Sequence, residues 1–249
     1  MEAAAWLTLI RGTVLADMRE YEAAETSVHV ARDLARQIGH LEIEAWTWET
    51  AAWIATTDGR QHDARDLATQ GVELAPKGGY GLIAATLQRA RINGTIGDKT
   101  EAIRDLAAGQ LAYESAGEPE WPDDHFSLDR PKIAFYSSGT FAQLGMPVET
   151  TVHAAEVVHA NEDPSTRNYW PMRTANARIE WAMALTRQGD EDAAVGMAAR
   201  ALDPQWLRPD TDRRTRKLLG QMRDPQLRTD LANQLAAAWA TASKLRSEG

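Results

Sequence analysis

Three short runs of this sequence hold residue types that could do chemistry or binding. In TTVHAAEVVHANED, His153, Glu156 and His159 offer two imidazoles and a carboxylate. On a helix His153 and Glu156 share a face, but His159 is rotated by about 120° from His153. The HExxH zinc arrangement needs its histidines one turn apart, so this run reads as a solvated helix face. In WPDDH, Asp123, Asp124 and His125 have the types of a metal-ligand set or a general base. Set among prolines and further acidic residues, they read better as a solvent-facing loop. KGGYGLI has too few glycines and no preceding strand for a phosphate loop. No serine sits in a nucleophile-elbow setting. The expectation is no reaction centre, no metal site, no cofactor and no enzyme.

The third run, EAWTWETAAW, suits binding. Trp46, Glu49 and Trp53 lie three, four and seven residues apart, which places them on one helix face, while Trp48 points elsewhere. Two indoles supply rigid apolar area and the carboxylate orients a partner. The competing reading is that Trp46 and Trp53 only pack within the core.

The elements that carry these residues follow from spacing. A helix is expected over 41–57, a turn at Gly59, a second helix over 60–74 and a stop at Pro76. Ala64, Ala68 and Gly71 share one face of the second helix, as Ala51, Ala52 and Ala55 do of the first. Small residues at these spacings let two antiparallel helices approach closely. The arrangement recurs. Leu7, Gly12 and Leu15 precede Tyr21, Ala24, Val28 and Ala31; Ala90 and Asn93 precede Ala102, Leu106 and Gly109. Phe141 precedes Val148, Ala154 and Val157, and Trp181, Ala182 and Leu185 precede Ala194, Ala198 and Ala201. The turns fall near residues 19, 59, 97, 145 and 189, roughly 38 to 48 residues apart. One such pair cannot bury its own apolar face, but stacked pairs can.

This pattern resembles tetratricopeptide repeats, best at Trp48, Ala51, Ala52, Ala55, Gly59, Ala64, Ala68, Gly71 and Pro76. The units near Gly97 and Gly145 are degenerate, with Ser138 and Thr150 in place of small apolar residues, and every spacing exceeds the family period of about 34. The resemblance implies an all-α, right-handed superhelix of antiparallel hairpins. Five hairpins are expected over 1–203, with insertions at 114–131 and 161–172, then capping helices over 204–249, in one continuous solenoid domain. It also implies a ligand-binding inner wall built from first helices. In register with the turn glycines that wall carries Trp6, Trp46, Glu49, Trp53, Leu87, Arg91, Lys132, Phe135, Asn176, Met183 and Arg187. Trp121, His125 and Phe126 in the first insertion could close over it as a lid. Asp163 or Ser165 in the second is a candidate helix cap. Arg213, Arg214, Arg216 and Lys217 are expected on the solvated side of the cap.

Composition bounds the partners. With 27 Lys plus Arg against 36 Asp plus Glu the formal charge is −9, which repels phosphate backbones. There is no cysteine, hence no disulfide and no thiolate metal site. No long apolar run exists and the first residues do not read as a signal peptide, so the cytoplasm is expected. The Ala- and Arg-rich repeats that run into an Arg-rich tail resemble the sensor body of actinobacterial regulators of the lambda-repressor-like class. Hairpin signals begin at Trp6, so no helix-turn-helix head is expected in this chain. The resemblance implies a ligand- or peptide-binding and dimerisation domain of a transcriptional regulator, taking a peptide, small molecule or protein in its groove and forming a homodimer. A free-standing scaffold for a protein partner is the alternative, and a helical enzyme or enzyme-accessory domain the minor one.

Overall fold

A computed structural model describes residues 1–121, 124–167 and 169–248. Among these there are twelve helices and no strand: α1 Glu2–Asp17, α2 Tyr21–Gln37, α3 Leu41–Thr57, α4 Gln61–Leu74, α5 Tyr80–Ile96, α6 Lys99–Ala116, α7 Arg130–Leu144, α8 Pro147–Asn161, α9 Pro171–Gln188, α10 Glu191–Ala199, α11 Pro209–Leu219 and α12 Pro225–Glu248. No described helix is long and apolar enough to cross a membrane. The chain forms two compact units, residues 1–136 and 137–249.

Within the first unit each helix from α1 to α5 packs on the next, and alternate helices also touch: α1 on α3, and α3 on α5. That double contact is what a tetratricopeptide-like array requires, since each first helix must cover its neighbour's apolar side. The small residues are the contact surface. Ala52 and Ala55 of α3, Ala64 and Ala68 of α4 and Ile92 of α5 form one fully buried cluster. A Cβ on Gly71 would stand 3.0 Å from the Ala85 methyl and 3.2 Å from Cβ of Trp48, so three backbones meet there with no space for a side chain. α4 stops where the sequence requires, because Ala75 before Pro76 is extended.

The five hairpin turns share one device. The amide six residues into each turn donates back to the helix: Glu20 to the Leu15 carbonyl, Arg60 to Ala55, Asp98 to Asn93, Met146 to Phe141 and Asp190 to Leu185, at 2.8–3.0 Å. The residue before each donor is left-handed. It is glycine at 59, 97, 145 and 189, which have no Cβ to oppose that geometry, but Arg19 at φ 66° in the first turn. The donor residue also begins the next helix. Asp98 and Asp190 accept from the amides of Glu101 and Ala193 at 3.2 and 3.1 Å, so one residue closes one helix and caps the next.

In the second unit α9 is central, packed by α8, α10 and α11, while α12 packs on α10 and α11. Leu207, Leu218, Met222, Leu231 and Leu235 join Ile179, Ala182 and Met183 in one core. Asp224 caps α12 through the amides of Gln226 and Leu227.

Some expectations are corrected. Leu7 and Val148 do not lie in their hairpin interfaces: both are exposed, and Leu9 takes the inward place on α1. Asp163 does not cap a helix. It accepts from the amide and hydroxyl of Ser165 in a local turn, and α9 begins at Pro171 without a side-chain cap. The last helix runs to Glu248, beyond the expected Lys244.

Candidate functional site

The first unit brings several of the expected binding residues together. α1 presents Trp6, α3 presents Trp46 and Glu49, and the start of α7 presents Lys132, Phe135 and Tyr136. The segment before α7 fixes that start. Asp129 accepts from the Lys132 amide at 2.8 Å and thereby caps the helix. Ser127 donates to the Trp121 carbonyl at 2.8 Å, and the Phe126 amide donates to Asp124 at the same distance. These bonds set Phe126 between two indoles. Its ring centroid lies 4.7 Å from Trp6 and 5.4 Å from Trp46. His125 meets Phe126 edge-on at 4.8 Å.

The consequence is that Trp46 is only 2% exposed. Its indole N–H donates to Glu42 at 3.1 Å, and the Lys132 ammonium lies 5.2 Å from its ring centre. Lys132 also donates to the carbonyls of His125 and Ser127 at 2.8 and 2.9 Å, pinning the segment from the helix side. Beneath this layer Glu49 is buried and accepts from the Tyr136 hydroxyl at 3.0 Å. Burial pushes its carboxyl above the usual range, against the nearby charge of Lys132, the Tyr136 hydrogen bond and the charge of Arg91. The Arg91 guanidinium lies 5.8 Å from the Phe135 ring centre.

The other expected positions fare differently. Trp53 is half-buried on the same helix face. Trp48 points away, with the Arg32 guanidinium 3.4 Å over its ring. Arg32 is lowered to about 10 by burial and then by Arg36. Leu87 is not on an open wall. It fills the space beside Gly109, where a Cβ would meet it at 2.5 Å, because α5 is covered by α6. Trp121 is 62% exposed. Pro122 and Asp123 lie outside the described residues.

In the second unit Met183 is core. Arg187 lies under the turn at Gly145, where its guanidinium occupies the place of a Cβ. Asn176 donates to Asp210 at 3.2 Å and accepts from Thr211 at 2.8 Å. It belongs to a buried network: Glu180 accepts from Ser138 and pairs with Arg214, and Arg214 reaches Asp210 at 2.8 Å. Arg214 is thus not on a solvated side. Its side chain is 2% exposed, because α11 packs on α9 and two carboxylates receive it. Burial lowers its pKa, but Asp210 and Glu180 outweigh that and hold it raised. Arg216, by contrast, is exposed beside Asp212.

His153 stacks on Phe141 at 5.6 Å, and burial lowers its pKa. Among the described residues no group of histidines and carboxylates could hold a metal. Sequence reasoning missed Tyr136, Glu180, Asp210 and Thr211. Tyr136 stands one turn beyond Lys132, and Glu180 one turn beyond Asn176. That spacing from residues already singled out was the available signal.

No protein-family model matches the chain, and no curated protein matches it. Among solved structures the chain is similar to a tetratricopeptide repeat protein from Parabacteroides merdae ATCC 43184, at 16% identity and a TM-score of 0.40, over 99% of this chain and 80% of that one. A likeness this distant leaves the fold assignment on the helix pairing itself: an all-α, tetratricopeptide-like array.

Proposed function

We propose that this chain is a non-catalytic ligand- or peptide-binding and dimerisation domain of a transcriptional regulator. Residues 1–203 supply the hairpins and 204–249 the cap. The coarser statement, a protein-binding scaffold, follows from the architecture. The regulator role is supported by the alanine- and arginine-rich repeats that lead into the Arg-rich α11. The −9 charge argues against direct contact of this chain with nucleic acid.

One observation carries the binding reading. Phe126 sits in an aromatic slot between Trp6 and Trp46, above the buried Glu49 and beside Lys132. Phe126 stands in for the aromatic side chain of a ligand, and Trp121, His125 and Phe126 act as a lid that yields to it. Trp53 extends the contact along α3. The test is selection from a displayed random-peptide library on wild type and on Phe126→Ala. Peptides with an aromatic residue should be enriched, about tenfold tighter on the variant whose slot is vacated. Trp53→Ala should weaken them by about 1–3 kcal/mol. No enrichment on either protein over a protein-free support would overturn the reading.

A further inference from the structure

The second unit holds a cleft of its own, about 80 Å³ in volume, between the insertion before α9, the first half of α9 and the turn that joins α10 to α11. Pro171, Thr174, Ala175 and Arg178 recur at intervals of three and four residues, so one face of α9 forms a wall. Tyr169 and Trp206 meet edge-on, with ring centres 6.4 Å apart, and supply an aromatic side. Asp203 fixes the turn that carries Trp206: its carboxylate accepts from the Gln205 amide at 2.9 Å and its carbonyl from the Trp206 amide at 3.1 Å.

The lining carries charge of both signs. Arg178 pairs with Glu162 at 2.8 Å and donates to the Arg200 carbonyl at 3.1 Å, which ties the insertion, α9 and the end of α10 together. Asp203 and Arg200 are exposed, and among the described residues the Arg200 guanidinium finds the Met197 sulfur, at 3.2 Å, as its partner. Two polar groups on the α9 wall are left over. Thr150 and Thr174 hold the same place in their helices, three residues after an opening proline. The Thr150 hydroxyl donates back to the Met146 carbonyl at 2.7 Å. Thr174 is 2% exposed, yet its Oγ1 has no partner among the described residues, and neither has Nε of Arg178. Buried polar groups without partners are costly, so this wall calls for a ligand that brings acceptors.

We propose that the cleft binds the zwitterionic head of a free α-amino acid. Size selects the head. One water needs about 10–15 Å³ and a cavity of about 150 Å³ holds benzene, so 80 Å³ suits the ammonium, Cα and carboxylate of one amino acid. Charge selects the zwitterion. The carboxylate accepts from Arg200, Arg178 and Thr174, and the ammonium donates to Asp203 and Glu162. A simple anion would face two carboxylates, and a simple cation two guanidinium groups. The side chain leaves along Tyr169 and Trp206, which favours an apolar or aromatic one. This site is separate from the aromatic slot of the first unit and does not depend on the reading given to it.

The test is isothermal titration calorimetry of the full chain with the common free amino acids, each up to about 20 mM. An apolar or aromatic amino acid should bind one-to-one with a Kd on the order of 0.1–1 mM, as so few enclosed atoms allow. Its α-amide and its N-acetyl derivative each lose one pole and should bind at least about tenfold more weakly. Asp203→Asn keeps the oxygen that holds the turn, and Arg200→Gln alters an exposed side chain, so circular dichroism should be unchanged. Each should weaken the amino acid by about tenfold. No saturable heat from any amino acid, a derivative that binds as tightly as its parent, or variants that bind like wild type would each overturn the proposal. The peptide reading at Trp6 and Trp46 would stand in all of these cases.

Discussion

Each unit buries a glutamate on a helix of its interior, Glu49 on α3 and Glu180 on α9, and the two are accommodated by different means. Glu180 meets a guanidinium directly, and Arg214 is tied to Asp210 as well, with Ser138 and Asn176 completing the network. Glu49 accepts from a neutral phenol, and the cations near it only partly offset the loss of water. A buried charge pair is costly to break from one side, because the remaining partner stays buried and uncompensated. A buried carboxyl held by a neutral donor is instead free to take up a proton. The charge pair locks a structure; the carboxyl held by a neutral donor leaves a site that responds to its surroundings. The responsive one lies where the aromatic slot is.

The comparison breaks most sharply at Arg214. Arg214→Ala should destabilise the chain by about 3–5 kcal/mol, read from urea unfolding, because Glu180 and Asp210 lose their common partner. Combining Glu180→Gln with Arg214→Met should cost less than Arg214→Ala alone. If the double change costs more, the network is additive and the contrast with Glu49 fails. Glu49→Gln should have a smaller effect that depends on pH. The folded-state pKa of Glu49 is raised, so its contribution is fully present below the ordinary glutamate range and is lost as pH rises through the raised value. Above that window the variant should gain stability relative to wild type, while retaining the Tyr136 bond. Unfolding curves for both proteins across the acid-to-neutral range check this; parallel curves would show that Glu49 keeps an ordinary pKa.

Much of the fold was legible because its signals are local. Ala64, Ala68 and Gly71 announce a close helix contact whatever the neighbour is, and Gly59, Gly97, Gly145 and Gly189 mark turns because few other residues adopt their backbone geometry. The span of α3 was readable to the residue. The site was less legible. Trp46 and Glu49 share a face as their spacing requires, but spacing cannot say that a segment almost eighty residues later returns to place Phe126 on that face. Arg214 reads as a surface residue in an arginine-rich run until Glu180, far away in sequence, is seen to receive it. Leu7 was misread for the converse reason: α1 has apolar residues on both sides, and periodicity alone does not choose which side turns inward. Hydrophobic pattern finds faces, but which face meets which is settled by contacts distant along the chain.

The first hairpin turn differs from its counterparts in one backbone angle, and that difference is a handle for engineering. Among the described residues Arg19 is the one non-glycine with positive φ, at 66°. Arg19→Gly should therefore raise the melting temperature, through about 1 kcal/mol of relieved crowding between Cβ and the neighbouring carbonyl. A scanning-calorimetry comparison with wild type measures it. The chain thus carries, at the junction of α1 and α2, a reserve of thermal robustness that a single substitution can release without touching the aromatic slot.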